Sequence, residues 1–285
     1  MPSVRDIKRR MKSVESTQQI TKAMKMVAAS KLRRTQTAVI RSRPYTEKME
    51  EILSRIVASA GEITHPILVE RPVKAVGIIL ITADKGLAGG YNVNVQKAAL
   101  QLATQLSPKG IDVEFITVGS KGRDFLRRRN KKVKAVFAGI NDVPTFSEAQ
   151  RLAKVAVNSY MEGEYDQVYL VYQEFITTVQ QHPVVKQLLP LPYEKGEEEV
   201  EYIYEPAPQE VLSILLPQYI NNTMFHILTE TKASEHGARM TAMTSATDNA
   251  EEMLEKLNLS YNRSRQAAIT REISEIVGGA SALEG

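Results

Sequence analysis

The first part of the chain repeats apolar side chains with a helical period. Residues 3–43 contain no glycine and no proline, and apolar side chains recur there at steps of three and four residues. The positions are Val4, Ile7, Met11, Val14, Ile20, Met24, Val27 and Leu32. The pattern resumes after Pro44 and ends before Gly61 and Pro66. It predicts one long helix over about 3–58.

The middle of the chain changes period. Runs rich in β-branched and aromatic residues at 73–82, 113–118, 133–138 and 167–175 are typical of strands. Helical patterns separate them at Val95–Leu106, Lys121–Arg129 and Glu148–Met161. Alternating strands and helices predict a mainly parallel sheet with helices on its faces. Two further extended pieces are expected near 184–190 and 200–204.

The last part returns to a helical pattern. Residues 209–277 contain one glycine and one proline, and steps of three and four residues from Met240 follow a seam of small and polar side chains. This length is far beyond that of an ordinary helix and predicts a coiled-coil arm. Both arms join the central part by their inner ends, so they must run antiparallel if they pair. We expect facing residue numbers to sum to about 265, with the C-terminal tip extending roughly 24 Å beyond its partner.

These patterns divide the chain into three regions. They are an N-terminal coiled-coil helix at 1–60, a central α/β domain at 70–205 and a C-terminal coiled-coil helix at 209–285. The longest apolar stretch, at 76–83, is far shorter than the ~20 residues that span a bilayer. No apolar run follows the basic N-terminus, so we do not expect a secretory signal.

Charge is unevenly distributed. The 285 residues carry a net charge of +4, but residues 1–43 hold twelve basic and two acidic side chains, a net of +10. Residues 209–285 hold six basic and ten acidic side chains, a net of −4, and six glutamates fall within 194–205. This asymmetry fits two arms lying side by side, an end that meets an acidic partner, or two solvated helix faces.

Residues that carry chemistry are scarce. The chain has no cysteine, no Gly-Lys dipeptide and no Gly-x-Gly, and its four histidines lack the spacing of metal ligands. The segment TADKGLAGGYN at 82–92 could hold an anion or form a tight strand-to-helix turn, and the absence of a Lys-Ser ending favours the turn. VGSKG at 118–122 lacks the spacing of a nucleophile elbow. We expect no catalytic residue, no cofactor and no metal.

Six segments together resemble one family. They are KSVESTQQITKAMKMVAASKLRR at 12–34, the central TADKGLAGGYN and VGSKG, YEP at 204–206, ASEHGARMTAMTSATDNA at 233–250 and YNRSRQAAITREISEIVGGASA at 261–282. In this order they resemble the gamma subunits of F-type ATP synthases over essentially the full length. The resemblance implies an α/β fold class, with a long antiparallel coiled coil of the N- and C-terminal helices plus a central Rossmann-like domain.

The resemblance also implies a function. Such a subunit is a rotor that couples ion flow through the membrane c-ring to ATP synthesis or hydrolysis in the catalytic head, and has no catalytic site itself. The implied partners are the ring of three alpha and three beta subunits, the epsilon subunit and the c-ring. The implied location is the cytoplasmic face of the cell membrane, as a peripheral protein.

By matching positions, the resemblance implies two sets of contact residues. Those facing the beta subunits are Met24, Arg239, Arg265, Gln266 and Thr270. Those at the foot, beside the epsilon subunit and the c-ring, are Lys31, Arg33, Tyr204 and Glu205.

Two other classes of function are weighed against the rotor. A nucleic-acid binder could use the basic N-terminal arm, but residues 1–43 contain no aromatic side chain for stacking and the acidic C-terminal arm would repel phosphates. A Rossmann-like nucleotide enzyme lacks the phosphate-binding motifs. We therefore expect no nucleic-acid partner.

Overall fold

A computed structural model describes residues 3–59, 65–178, 180–192, 205 and 207–284. The chain divides into two compact units, one formed by Met1–Val27 with Met240–Gly285 and the other by Ala28–Arg239. Both long helices predicted from the periodicity are present. Helix α1 spans Val4–Ser59 and continues through Pro44, and the last helix, α5, spans Pro208–Glu284 with Pro217 inside it.

The larger unit contains a five-stranded sheet. Its strands are β1 at Ala75–Ile81, β2 at Asp112–Val118, β3 at Val133–Phe137, β4 at Gln167–Phe175 and β5 at Gln181–Leu189. The order is β3-β2-β1-β4-β5, and only β5 runs antiparallel to its neighbour. The mainly parallel sheet is confirmed. The extended piece near 184–190 belongs to β5, whereas 200–204 lies outside the described residues.

Helices cover both faces of the sheet. They are α2 at Tyr91–Leu106, α3 at Ser120–Arg127 and α4 at Phe146–Met161, and a 3₁₀ turn follows α2 at Ser107–Lys109. Strand β1 alternates its side chains. Val76, Ile78 and Leu80 pack in the core with α2 and α3, whereas Ile79 and Ile81 pack in the core with α4 and segments of α1 and α5.

Within the larger unit, α1 and α5 pair antiparallel through polar side chains. The amide Nδ2 of Asn222 donates to Thr46 Oγ1 at 3.0 Å, and Ser42 Oγ lies 3.1 Å from Nδ1 of His226. Both pairs of residue numbers sum to 268. The antiparallel direction and the polar seam are confirmed, but the expected sum of 265 is wrong by three residues, almost one helical turn.

The smaller unit is a pair of helical segments. Thr247 Oγ1 donates to Thr21 Oγ1 at 2.8 Å, again a sum of 268. The apolar positions Ile20 and Val27 of the predicted helix are 57% and 55% exposed, whereas Thr21 is buried. Apolar character alone therefore does not identify the buried face of this helix.

Among the described residues of this unit, no helix lies beside the far end of α5. Residues at positions 254, 257, 261, 264 and 268 are half-buried, whereas every residue of 269–279 is exposed. This agrees with the expected extension of the tip. Among the described residues, none of the helices combines the length and apolar character needed to cross a membrane.

Candidate functional site

The glycine-rich segment after β1 forms a turn that is closed by an internal carboxylate. Asp84 Oδ1 accepts hydrogen bonds from the backbone N–H and the hydroxyl of Ser120, both at 2.9 Å, at the start of α3. Its Oδ2 accepts from the backbone N–H of Gly139 at 3.0 Å. Burial alone would raise the pKa of Asp84, but these hydrogen bonds outweigh it and lower the pKa below its ordinary value. The carboxylate therefore occupies hydrogen-bond donors that a bound phosphate would need.

One glycine of the neighbouring turn has no possible substitute. Gly119 has φ +90°, and a Cβ atom there would lie 2.2 Å from the backbone oxygen of Thr82. The Thr82 hydroxyl accepts a hydrogen bond from the backbone N–H of Gly122 at 2.8 Å. The two loops are thus locked to each other at the carboxyl edge of the sheet.

The same loop supports helix α5. Tyr91 is fully buried in a small cluster with Ala83, Ala88 and Ala238, and its hydroxyl donates to the backbone oxygen of Thr231 at 3.4 Å. Burial, and next the nearby Glu235 carboxylate, raise the pKa of Tyr91 well above its ordinary value, which keeps the phenol protonated. The segment 82–92 therefore acts as a platform that positions α5.

A buried charged cluster lies on the face of α5 above this platform. Glu235 forms ion pairs with Arg239 at 2.8 Å and with Lys232 at 3.1 Å. All three side chains are at most 12% exposed. Burial would raise the pKa of Glu235, but the two cations outweigh it and lower the pKa. Arg239 also donates to the backbone oxygen of Gly86 at 3.4 Å. The cluster joins α5 to the glycine-rich loop.

Asp142, in the loop before α4, contacts both long helices. Its Oδ2 lies 2.7 Å from Nζ of Lys31 on α1, and its Oδ1 lies 3.4 Å from Nε2 of His236 on α5. Burial lowers the pKa of His236 to about 4, although the carboxylates of Glu235 and Asp142 oppose this shift. The imidazole is therefore neutral at pH 7. The arrangement positions helices and shows no pair suited to proton transfer on a substrate.

The residues implied as beta contacts fall in different environments. Met24 is half-buried on α1, whereas Arg265, Gln266 and Thr270 are exposed on one stretch of α5. Thr270 Oγ1 donates to the backbone oxygen of Gln266 at 2.9 Å. Arg239 belongs to the buried cluster on α5.

The residues implied at the foot are equally varied. Lys31 is half-buried and holds its ion pair with Asp142, while Arg33 and Glu205 are exposed. Tyr204 lies outside the described residues. Lys31 on α1 and Arg239 on α5 lie at two ends of one group of polar side chains. Lys31 pairs with Asp142, Asp142 lies beside His236, and the Arg239 guanidinium lies 3.5 Å from Nδ1 of His236.

Sequence reasoning missed two features of these sites. Asp142 carries no local signal, because its neighbours Lys31 and His236 lie on distant segments. The ion pairs of Glu235 with Lys232 and Arg239, three and four residues away on α5, could have been found from their spacing. The second feature is an apolar stripe on the exposed tip of α5, formed by Ile269, Ile273, Ile276 and Val277, which are 48–72% exposed. Their spacing of three and four residues could have revealed it. Within the described ranges, no group of three or more histidine, aspartate or glutamate side chains could hold a metal ion.

Solved structures share this architecture. The central stalk and c-ring structure of the Tetrahymena thermophila mitochondrial ATP synthase contains a chain with a TM-score of 0.58 and 26% identity, covering 80% of this chain and 99% of that one. A chain from the Euglena gracilis mitochondrial ATP synthase rotor has a TM-score of 0.66 and covers 93% and 98%, respectively. Its 18% identity supports the fold alone.

The sequence comparisons cover the whole chain. A family model described as ATP synthase matches residues 3–283. The ATP synthase gamma chain of Desulfitobacterium hafniense is 50% identical over 284 residues, which is 100% of both chains. That of Heliobacterium modesticaldum is 50% identical over 293 residues, or 99% of this chain and 100% of its own length. This chain therefore belongs to the ATP synthase gamma chain family.

Proposed function

We propose that this chain, as the central-stalk rotor subunit of an ATP synthase, couples ion flow through a c-ring to ATP synthesis or hydrolysis in the catalytic head. The observation that carries the proposal is the exposed end of α5. Every residue of 269–279 is exposed, and an apolar stripe runs along this stretch. Such a stripe on a helix calls for a partner surface that covers it. A ring of three alpha and three beta subunits around the tip would supply that surface.

The coupling would arise from asymmetric contact. A shaft that presents a different side to each beta subunit can favour a different nucleotide affinity in each, provided that its contacts differ among the three states. Arg265, Gln266 and Thr270 are proposed to make such contacts, and their exposure on α5 supports this role. Met24 and Arg239 are proposed as beta contacts lower on the shaft. For Arg239, the partner would have to approach a guanidinium already paired with Glu235.

The foot is proposed to meet the epsilon subunit and the c-ring. Lys31, Arg33, Tyr204 and Glu205 are the residues proposed there, and exposed Arg33 and Glu205 are free to reach a partner. In this proposal, the coiled coil of the arms at 1–60 and 209–285 meets the head, whereas the central domain at 70–205 and the base of the coil form the foot. The chain would lie at the cytoplasmic face of the cell membrane as a peripheral part of the complex.

We further propose that the chain performs no covalent chemistry. Support comes from Asp84, whose carboxylate accepts hydrogen bonds from the N–H groups of Ser120 and Gly139. Further support comes from Glu235, which is paired with two cations. Both arrangements satisfy charged groups inside the protein and leave no activated acid or base. The chain would act through its shape and through its contacts with the neighbouring subunits.

Reconstitution in vesicles tests the proposal. The chain is combined with alpha, beta and epsilon subunits and with the membrane sector, and ATP-driven ion pumping is measured. We expect ATP-driven ion pumping only when the chain is present. Such pumping by a complex that lacks the chain would contradict the rotor role. Calorimetry of the purified chain with Mg-ATP tests the non-catalytic part, and no binding heat is expected. Micromolar binding that Asp84→Ala abolishes would overturn it.

A further inference from the structure

A cleft between α4 and α5 opens on the surface of the larger unit. It has a volume of about 410 Å³ and is lined by Gln150, Arg151, Lys154 and Asn158 from α4 and by Pro217 and Asn221 from α5. None of the lining residues is a carboxylate. The cleft therefore combines two cations with several amide donors.

The two cations are exposed on α4. Arg151 and Lys154 lie one turn apart on α4, and neither forms an ion pair with another residue in the described part of the chain. The one carboxylate within α4, Glu148, is already engaged. Its Oε2 accepts from the N–H and hydroxyl of Thr145 at 2.7 and 3.0 Å, and its Oε1 accepts from the N–H and side-chain amide of Asn141 at 3.1 and 3.2 Å. This capping box holds Glu148 at the start of the helix.

The rest of the cleft is apolar. Ala153 and Val157 lie between the polar side chains of α4, and the ring of Pro217 faces them across the cleft. A free phosphate would leave this apolar surface uncovered. Nucleic acid would find no aromatic side chain on which to stack a base. Carboxylates that reach Arg151 and Lys154, on a segment whose aliphatic side chains cover the apolar surface, match both parts of the cleft.

We propose that the α4–α5 cleft binds an acidic segment of a protein partner within the ATP synthase complex. Arg151 offers a planar fork of donors for one carboxylate, and Lys154 offers an ammonium for another. Asn158 and Asn221 can donate to backbone oxygens of the segment. The inference deepens the proposed function and rests on it, because it names the chemistry of one contact in the assembly.

The test uses the assembled complex. Since the chain has no cysteine, Gln150→Cys gives a single attachment point for a short photo-crosslinker inside the cleft. The crosslinked peptide is then identified by mass spectrometry. We expect a partner segment with at least two aspartate or glutamate side chains. Reversing both charges, Arg151→Glu with Lys154→Glu, should lower the crosslink yield by about tenfold or more.

A matched control changes the same two residue types at the same spacing elsewhere. Arg128→Glu with Lys131→Glu alters net charge equally on an exposed part of the same unit and should leave the yield unchanged. Crosslinking to a neutral or basic segment, to lipid alone, or with a yield insensitive to charge reversal would overturn the cleft proposal while the complex still pumps ions. Failure of the unmodified chain to assemble would overturn the proposed function and this inference together.

Discussion

Lys31 on α1 and Asp142 before α4 form an ion pair, with Nζ 2.7 Å from Oδ2. The other oxygen of Asp142 lies 3.4 Å from His236 on α5. One side chain therefore pairs with α1 and lies against α5 within the unit of residues 28–239. A shaft that carries load needs such links, because its helices would otherwise slip against the domain that turns them.

Asp142→Asn should weaken this link. The change removes the charge that attracts Lys31, and we expect the free energy of unfolding to fall by about 1 kcal/mol, since the pair is partly exposed. Urea denaturation followed by circular dichroism measures the loss. The control is Asp112→Asn, which removes the pair with Lys132, where both side chains are 65% exposed. Equal losses in the two variants would show that Asp142 has no special role.

His236 should make stability depend on pH. Its pKa is about 4 in the folded chain, lowered by burial, and about 6.5 when unfolded. The folded state therefore binds fewer protons, so the stabilisation is complete above pH 6.5 and is lost as pH falls towards 4. The shift corresponds to about 3 kcal/mol. His236→Gln should flatten the fall in urea midpoint between pH 6.5 and 4.5, and an unchanged slope would contradict this.

Glu230 should make stability depend on pH in the opposite direction, so it serves as a control for His236. Burial, and then the neighbouring Glu174, raise the pKa of this carboxyl to about 7. Its contribution to stability is complete below its unfolded pKa of about 4.5 and is lost as pH rises through 7. Glu230→Gln should therefore raise the urea midpoint above pH 7 and change it little at pH 4.5. A rise in the urea midpoint of Glu230→Gln that is confined to acid pH would contradict the expected direction of the pH dependence.

The register of the smaller unit can be tested by disulfide formation. Thr21 and Thr247 place their Oγ atoms 2.8 Å apart, so cysteines at these two positions should crosslink under mild oxidation. Thr21→Cys with Thr244→Cys represents the register whose numbers sum to 265 and should crosslink poorly. Gel mobility under non-reducing conditions separates the products. Preferential crosslinking of the second pair would restore the register expected from the sequence.

Much of this architecture could be predicted from local patterns. Runs of β-branched and aromatic residues locate the strands, and apolar periods of three to four residues locate both long helices. The exact register could not be predicted, since Thr21 occupies the seam while the more apolar Ile20 faces outward. The contacts of Asp142 could not be predicted from the sequence for another reason. Lys31 and His236 are about a hundred residues away on either side, and no local pattern connects them.

Arg265 and Gln266 test the proposed contact with the beta subunits. Replacing both with alanine should leave the helix intact, because alanine is the best helix former, but should remove charged hydrogen bonds worth about 1.5–3 kcal/mol. ATP turnover of the reconstituted complex should then fall by about ten- to a hundredfold. Circular dichroism of the isolated chain should be unchanged.

The matched control for this pair is Asn262→Ala with Arg263→Ala. It also removes one amide and one guanidinium from exposed positions, and Arg263 lies about 200° around the helix from Arg265. We expect a smaller loss of turnover. Turnover like that of the unchanged chain from a correctly assembled Arg265 and Gln266 variant would show that the contact lies elsewhere on the shaft.

A rotor subunit must rotate against the catalytic head, and direct observation of rotation tests whether this chain does so. Lys109→Cys, at an exposed turn of the α/β unit, provides a single site for a bead because the chain has no other cysteine. The alpha and beta subunits are fixed to a surface and ATP is added. The account predicts that the bead turns in one direction, pauses three times per revolution and speeds up with ATP concentration. ATP hydrolysis by a complex that retains the chain while its bead stays still would contradict the account.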